Sequence, residues 1–209
     1  MNQKTIYIGV LNQGNIRIEL ASMVNDYTHQ NKYRLLITYP DEKPISNNRN
    51  KIVQDFLYNS DADYLLMIDA DIIPPENLLN LADFQKDIIS PICFIYQKNM
   101  VAPLVMRMNP EGTYGIMPFN GTEGLVEVDA VGTGCIILSR KVLEHPDLKA
   151  PFMNEYDQDG VKKYGLDFAF CRRAKKAGFK IYCHLDYACQ HWVTSDLKKI
   201  YESLVMLNK

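Results

Sequence analysis

Three short apolar runs separated by stretches of helical periodicity constrain this chain more than any other feature. Thr5 to Leu11 (TIYIGVL) is β-branched, apolar and followed by the turn formers Asn12 to Asn15, which is the pattern of a buried strand. Ile16, Leu20, Met23, Val24 and Tyr27 then recur at helical spacing. Tyr33 to Thr38 reads as a second strand, and the loop YPDEKP leads to Ser46, an expected N-cap. The helix it opens has Ile52, Val53, Phe56 and Leu57 on its inner face. Tyr64 to Ile68 is a third apolar strand, and Pro74-Pro75 are expected to open a further helix. Strand and helix in alternation imply parallel βαβ units, hence an α/β fold with a mostly parallel central sheet flanked by helices.

The second half is richer in strands. Ile88 to Ile95, Val101 to Met108, Leu125 to Val131 and Cys135 to Leu138 are strand-like runs. A helix is expected from about Leu166 to Ala177, stopped by Gly178 and carrying Lys175 and Lys176 in its last turn. Lys180 to Cys183 is a late strand and Asp196 to Leu207 a terminal helix. No repeat or linker divides the 209 residues, so the expectation is one domain. Within it, residues 1–100 or so would form one lobe and residues 101–209 a second.

Net charge is −2 and there is no basic tract, so nucleic-acid binding is not suggested. The five cysteines form no C-x-x-C pair, which favours buried thiols in a reduced compartment over a zinc module. The first residues have no signal-peptide layout and no apolar run approaches a membrane span, so a soluble, cytoplasmic chain is expected.

Asp69 and Asp71 follow the third strand as D-x-D. Ligands of open α/β sheets bind beyond the carboxyl ends of the strands. Two adjacent carboxylates repel each other, and a hard divalent cation relieves that repulsion while accepting phosphate oxygens as further ligands. A carboxylate about 5 Å from a phosphate charge is repelled by roughly 3 kcal/mol at an effective dielectric near 20, so this pair would disfavour a diphosphate without a metal. The plain alternative is a pair of aspartates that cap the following helix or bind loop N–H groups.

Asp167, near the start of the late helix, suits either a capping role or that of a general base. His191, after the last strand in CQHWVT, decides nothing alone, because a lone histidine is more often packed or exposed than a ligand.

Taken together and in order, these stretches resemble the GT-A glycosyltransferases, in particular small bacterial and viral members related to the large inverting family. The opening strand ends in GVLNQG, and Ser46 to Asn50 (SNNRN) is similar to the family's "ARN" helix start. DYLLMIDADIIPP, Asp63 to Pro75, resembles the metal-binding strand. VDAVGTGCIILSRKVLE, Val128 to Glu144, resembles the strand beneath the transferred sugar. YGLDFAFCRRAKKAGFKIY, Tyr164 to Tyr182, resembles the helix that presents the catalytic carboxylate, with Leu166 where the family has an acidic residue. His191 stands where many members supply a histidine to the metal.

The resemblance implies a Rossmann-like, single-domain transferase in which the first lobe holds the nucleotide and the second the acceptor. It implies that Asn12, Arg49, Asp69 and Ala70 bind a nucleotide-diphospho-sugar, a UDP-sugar by base rate. Asp69, Asp71 and His191 would hold Mn²⁺ or Mg²⁺, and Asp167 would act on the acceptor hydroxyl. The acceptor stays open, a modified DNA base included. Two rivals remain. One is a nucleotide-sugar-binding module that has lost transfer. The other is a sugar-1-phosphate nucleotidyltransferase, disfavoured because LNQGNIRIE lacks that class's repeated glycines.

Overall fold

The computed structural model describes residues 3–12, 14–97, 100–119, 123–194 and 196–207. Gln13, within the opening GVLNQG run, lies outside them. The first half runs β1 (Thr5–Leu11), α1 (Ile18–His29), β2 (Arg34–Thr38), α2 (Ile45–Asn59), β3 (Tyr64–Asp69), β4 (Ile72–Ile73), a 3₁₀ helix (Leu78–Phe84) and β5 (Ile88–Ile92). Short strands follow: β6 (Phe94–Gln97), β7 (Met100–Pro103), β8 (Val105–Met108), β9 (Tyr114–Ile116), β10 (Leu125–Val128), β11 (Ala130–Val131) and β12 (Cys135–Ser139). The chain continues through α3 (Arg140–Leu143), β13 (Glu155–Tyr156), β14 (Lys162–Tyr164), α4 (Leu166–Lys176), β15 (Ile181–Ala188), β16 (Gln190–His191) and α5 (Leu197–Leu207).

The central sheet has seven strands in the order β10-β15-β5-β12-β3-β1-β2, so both halves of the chain contribute to it. β1 pairs in parallel with β2 and β3, and β5 with β15, whereas β12 runs antiparallel to both β3 and β5. β10 is antiparallel to β15, so β10 and β12 run against the other strands. Helices cover both faces, which is why β1 is buried along its whole length and reads as an unbroken apolar run. Along β3 the side chains alternate between two cores: Leu65 and Met67 pack with Phe56 of α2, and Leu66 and Ile68 with Leu20, Val24 and Tyr27 of α1.

Several local expectations differ from the structure. α2 begins at Ile45, not behind Ser46, because the Pro44 carbonyl accepts from the backbone N–H groups of Asn47 and Asn48 (2.9 and 3.2 Å) and no side chain caps the helix. The segment after Pro74-Pro75 is a 3₁₀ helix starting at Leu78, whose N–H donates to the Pro75 carbonyl (3.0 Å). The apolar run Ile88 to Ile95 is split at Cys93, the run Val101 to Met108 at Leu104, and Leu125 to Val131 at Asp129. At each break the chain leaves one sheet for another: β5 and β10 belong to the central sheet, β6 and β7 form a two-stranded sheet, and β8 and β11 join a three-stranded sheet with β9. The predicted end of α4 matches closely. Gly178 adopts φ 91°, its N–H donates to Lys175 and that of Phe179 to Ala174, a Schellman closure of the helix. All five cysteines are free and buried. Among the described residues, no helix is long and apolar enough to cross a membrane.

Candidate active site

β1 and β3 end side by side, with Leu11 paired to Asp69, so the first aspartate of D-x-D emerges from the carboxyl edge of the sheet. Its backbone N–H donates to the Gly134 carbonyl (2.7 Å) at the entry of antiparallel β12. A side chain at Gly134 would press against the Asp69 carboxylate, since a Cβ there would lie 3.2 Å from Oδ2. Asp69 is held from below by Arg49 of α2, which is only 2% exposed. Arg49 Nη2 donates to both Asp69 oxygens (2.8 and 2.9 Å), and Nη1 donates to the Thr133 carbonyl (2.7 Å). Burial pushes the Asp69 carboxyl up to about 6; Arg49 opposes this, Asp167 and Asp71 add to it, and His191 opposes it. The side chain nevertheless keeps 22% of its surface exposed, at the mouth of the site.

Thr133 links this pair to the late helix. Its hydroxyl donates to Asp167 Oδ1 at the first turn of α4, while its carbonyl takes Arg49. Asp69, Arg49, Thr133 and Asp167 therefore form one connected network built from β3, α2, the strand entry before β12, and α4.

Asp71 meets His191 on the other side. Antiparallel pairing of β16 with β4 sets His191 opposite Ile72, and Trp192 N–H donates to the Asp71 carbonyl (3.0 Å). His191 Nε2 lies 3.5 Å from Asp71 Oδ2, and Nδ1 lies 2.5 Å from the Phe94 carbonyl. The carbonyl can only accept, so Nδ1 carries a proton; in the neutral ring Nε2 then presents its lone pair toward Asp71. The Phe94 carbonyl thereby fixes the tautomer and the orientation of the ring. Each partner favours the other's charge: hydrogen bonding to Asp71 raises the His191 pKa, and bonding to His191 lowers that of Asp71. Among the described residues, no three His, Cys, Asp or Glu side chains already converge as a metal-holding group. Asp71 and His191 face one another, while both Asp69 oxygens are engaged by Arg49.

Two clefts meet at Asp69. The first, about 880 Å³, is lined by Asn15, Arg17, Ala70, Asp71 and Trp192 as well as Asp69. The second, about 1030 Å³, is lined by Arg49, Asp69 and Asp167 with a long apolar wall. Ala70 takes part through its backbone, its carbonyl accepting from Arg17 N–H (3.4 Å). The Asn12 side chain is turned into its own loop, where Oδ1 accepts from Gly14 N–H (2.8 Å).

Sequence reasoning missed three contributors. Thr133 lies inside the VGTG run, where sequence alone assigns it no role of its own. Arg17 lies just before α1, and its guanidinium stacks 4.1 Å from the Trp192 ring across the first cleft. Neither Arg17 nor Trp192 carries a local signal, because their contact joins residues far apart in the chain.

No family model and no curated sequence matches this chain. Among solved structures it is similar to A197 from STIV, with 18% identity, a TM-score of 0.57, and coverage of 92% of this chain and 87% of that one. It is also similar to GalNAc-T7, solved with UDP, GalNAc and Mn²⁺, with 12% identity and a TM-score of 0.51. That match covers 97% of this chain and 48% of the other, so the chain spans about half the length of GalNAc-T7. The strand order, the flanking helices and these likenesses together give the chain a GT-A-like α/β fold.

Proposed function

We propose that the chain is a glycosyltransferase that takes its sugar from a nucleotide-diphospho-sugar bound in the first cleft and passes it to a hydroxyl acceptor in the second. The observation that carries this reading is that Asp69 lines both clefts, with Asp71 beside it in one and Asp167 in the other. A reaction at the junction joins ligands entering from the two sides. The presence of UDP and Mn²⁺ in the GalNAc-T7 structure supports a UDP-sugar and a divalent cation as first candidates.

Asp71 and His191 would hold Mn²⁺ or Mg²⁺, which would supply Lewis-acid stabilisation of the departing diphosphate. With only these two side chains holding it, the cation would remain free to interact with the donor's phosphates. Arg49 fixes Asp69 so that its exposed edge can orient the sugar or ribose without the carboxylate swinging toward the diphosphate. Ala70 presents backbone to the donor, and the Arg17–Trp192 stack closes the far side of that cleft. Thr133 holds one oxygen of Asp167, leaving the other to take the acceptor's proton as its hydroxyl attacks. The donor cleft thus draws mainly on the first half of the chain, with Trp192 added from the second, and the acceptor cleft draws on both halves.

The test is a product assay on the full chain with UDP-, GDP-, CMP- and dTDP-linked sugars, each with Mn²⁺. Release of nucleoside diphosphate from a UDP-, GDP- or dTDP-linked sugar is the expected result, with the CMP-linked sugar as a control that lacks a diphosphate. Pyrophosphate from a sugar 1-phosphate and nucleoside triphosphate would instead make it a nucleotidyltransferase. Binding without any product would make it a nucleotide-sugar-binding module.

A further inference from the structure

The second cleft is chemically lopsided. Besides the network of Asp69, Arg49 and Asp167, its lining includes Ile95, Met100, Ala102, Leu104, Met106 and Ile116, drawn from the β6–β7 hairpin, the link to β8, and the β8–β9 hairpin. Met100 and Ile116 leave 63% and 50% of their surface exposed, which is apolar area that a ligand can cover. Asp167 itself sits between Leu166 and Phe168, both of which also line the cleft. The charges present do not suit a polyanion. Asp69 and Asp167 are acidic, Arg49 is buried and already engaged by Asp69, and among the described residues Lys162 is the one other cation lining the cleft.

We infer that the acceptor is an uncharged hydroxyl compound with an apolar, aryl or alkyl, body, whose hydroxyl meets Asp167 while the body lies against the Met100–Ile116 wall. This rests on the glycosyltransferase reading above and names the substrate class that reading leaves open. Leu166 fits the same chemistry: an apolar residue next to the carboxylate packs against an apolar body, where an acidic one would demand a polar partner. A nucleic acid or phosphate polymer would bring negative charge to a cleft with two carboxylates and little to neutralise it.

Paired probes test the inference. Phenyl β-D-glucopyranoside and methyl β-D-glucopyranoside carry the same hydroxyls and differ in their apolar body. Their binding to the full chain is measured in the presence of UDP and Mn²⁺. The phenyl compound is expected to bind about 10-fold tighter or more, from the apolar area it covers. Ile116→Asp and Met100→Asp, both at exposed positions, should each remove most of that preference. Leu197→Asp, on the exposed side of α5, should retain it. Equal binding of the two glucosides, no binding of either, an unchanged preference in both cleft variants, or tighter binding of a single-stranded oligonucleotide would overturn the inference. Calorimetry of the sugar nucleotides with Mn²⁺ separates the two levels: donor binding without glucoside discrimination removes only the acceptor class, and absence of donor binding removes the function beneath it.

Discussion

Arg49 donates through a single nitrogen to both carboxylate oxygens of Asp69, at 2.8 and 2.9 Å, while its other terminal nitrogen is fixed to the Thr133 carbonyl. A buried guanidinium with its partner removed, or a buried carboxylate with its cation removed, is costly, whereas removing both is much less so. Arg49→Met is therefore expected to lower unfolding stability by roughly 3 kcal/mol, read from urea unfolding midpoints. Adding Asp69→Asn should recover part of that loss. Strictly additive losses in the double variant would show that the two side chains do not act as a pair.

Gly9, in the middle of β1, faces Ile52 of α2. A Cβ at Gly9 would lie 2.4 Å from Ile52 Cγ2, so the helix that carries Arg49 packs closely only because position 9 has no side chain. Gly9→Ala should destabilise the fold by about 1–3 kcal/mol, as overpacking does. Combining it with Ile52→Ala should give a smaller loss than the sum of the two. Thermal or urea unfolding of the four proteins checks this, and a fully stable Gly9→Ala variant would contradict the packing.

Asp167→Asn should leave sugar-nucleotide binding intact while reducing transfer about 100-fold or more, the size of effect expected when a general base is lost. Thr133→Val keeps the carbonyl that takes Arg49 but removes the hydroxyl that orients Asp167, so a smaller loss confined to kcat is expected. Steady-state kinetics with donor binding measured separately will distinguish the two. Near-normal turnover in Asp167→Asn would exclude it as the base.

Much of the layout was legible in the sequence because burial on both faces writes itself as unbroken apolar runs. β1 spans Thr5–Leu11 as expected, and Ile52, Val53 and Phe56 form the buried face of α2. The position of Asp69 and Asp71 at the carboxyl end of β3 was legible for the same reason. Periodicity does not say which sheet a strand joins, so Ile88 to Ile95 looked continuous although the chain changes sheets at Cys93. The role of Arg49 shows the same limit at the site. The family resemblance implied that it binds the nucleotide-diphospho-sugar, but whether its charge meets a ligand or a neighbouring carboxylate depends on a tertiary contact with Asp69. Thr133 was invisible as a site residue because its importance lies in two bonds to partners from different elements.

The most direct measurement is a Mn²⁺ titration of UDP-sugar affinity in the wild-type chain and in Asp71→Asn. With Asp71 and His191 as ligands, wild-type affinity should rise with Mn²⁺, and the substitution should weaken that metal-dependent affinity by about 10-fold or more. Metal-dependent affinity that is the same in Asp71→Asn as in the wild type would contradict a cation held between Asp71 and His191.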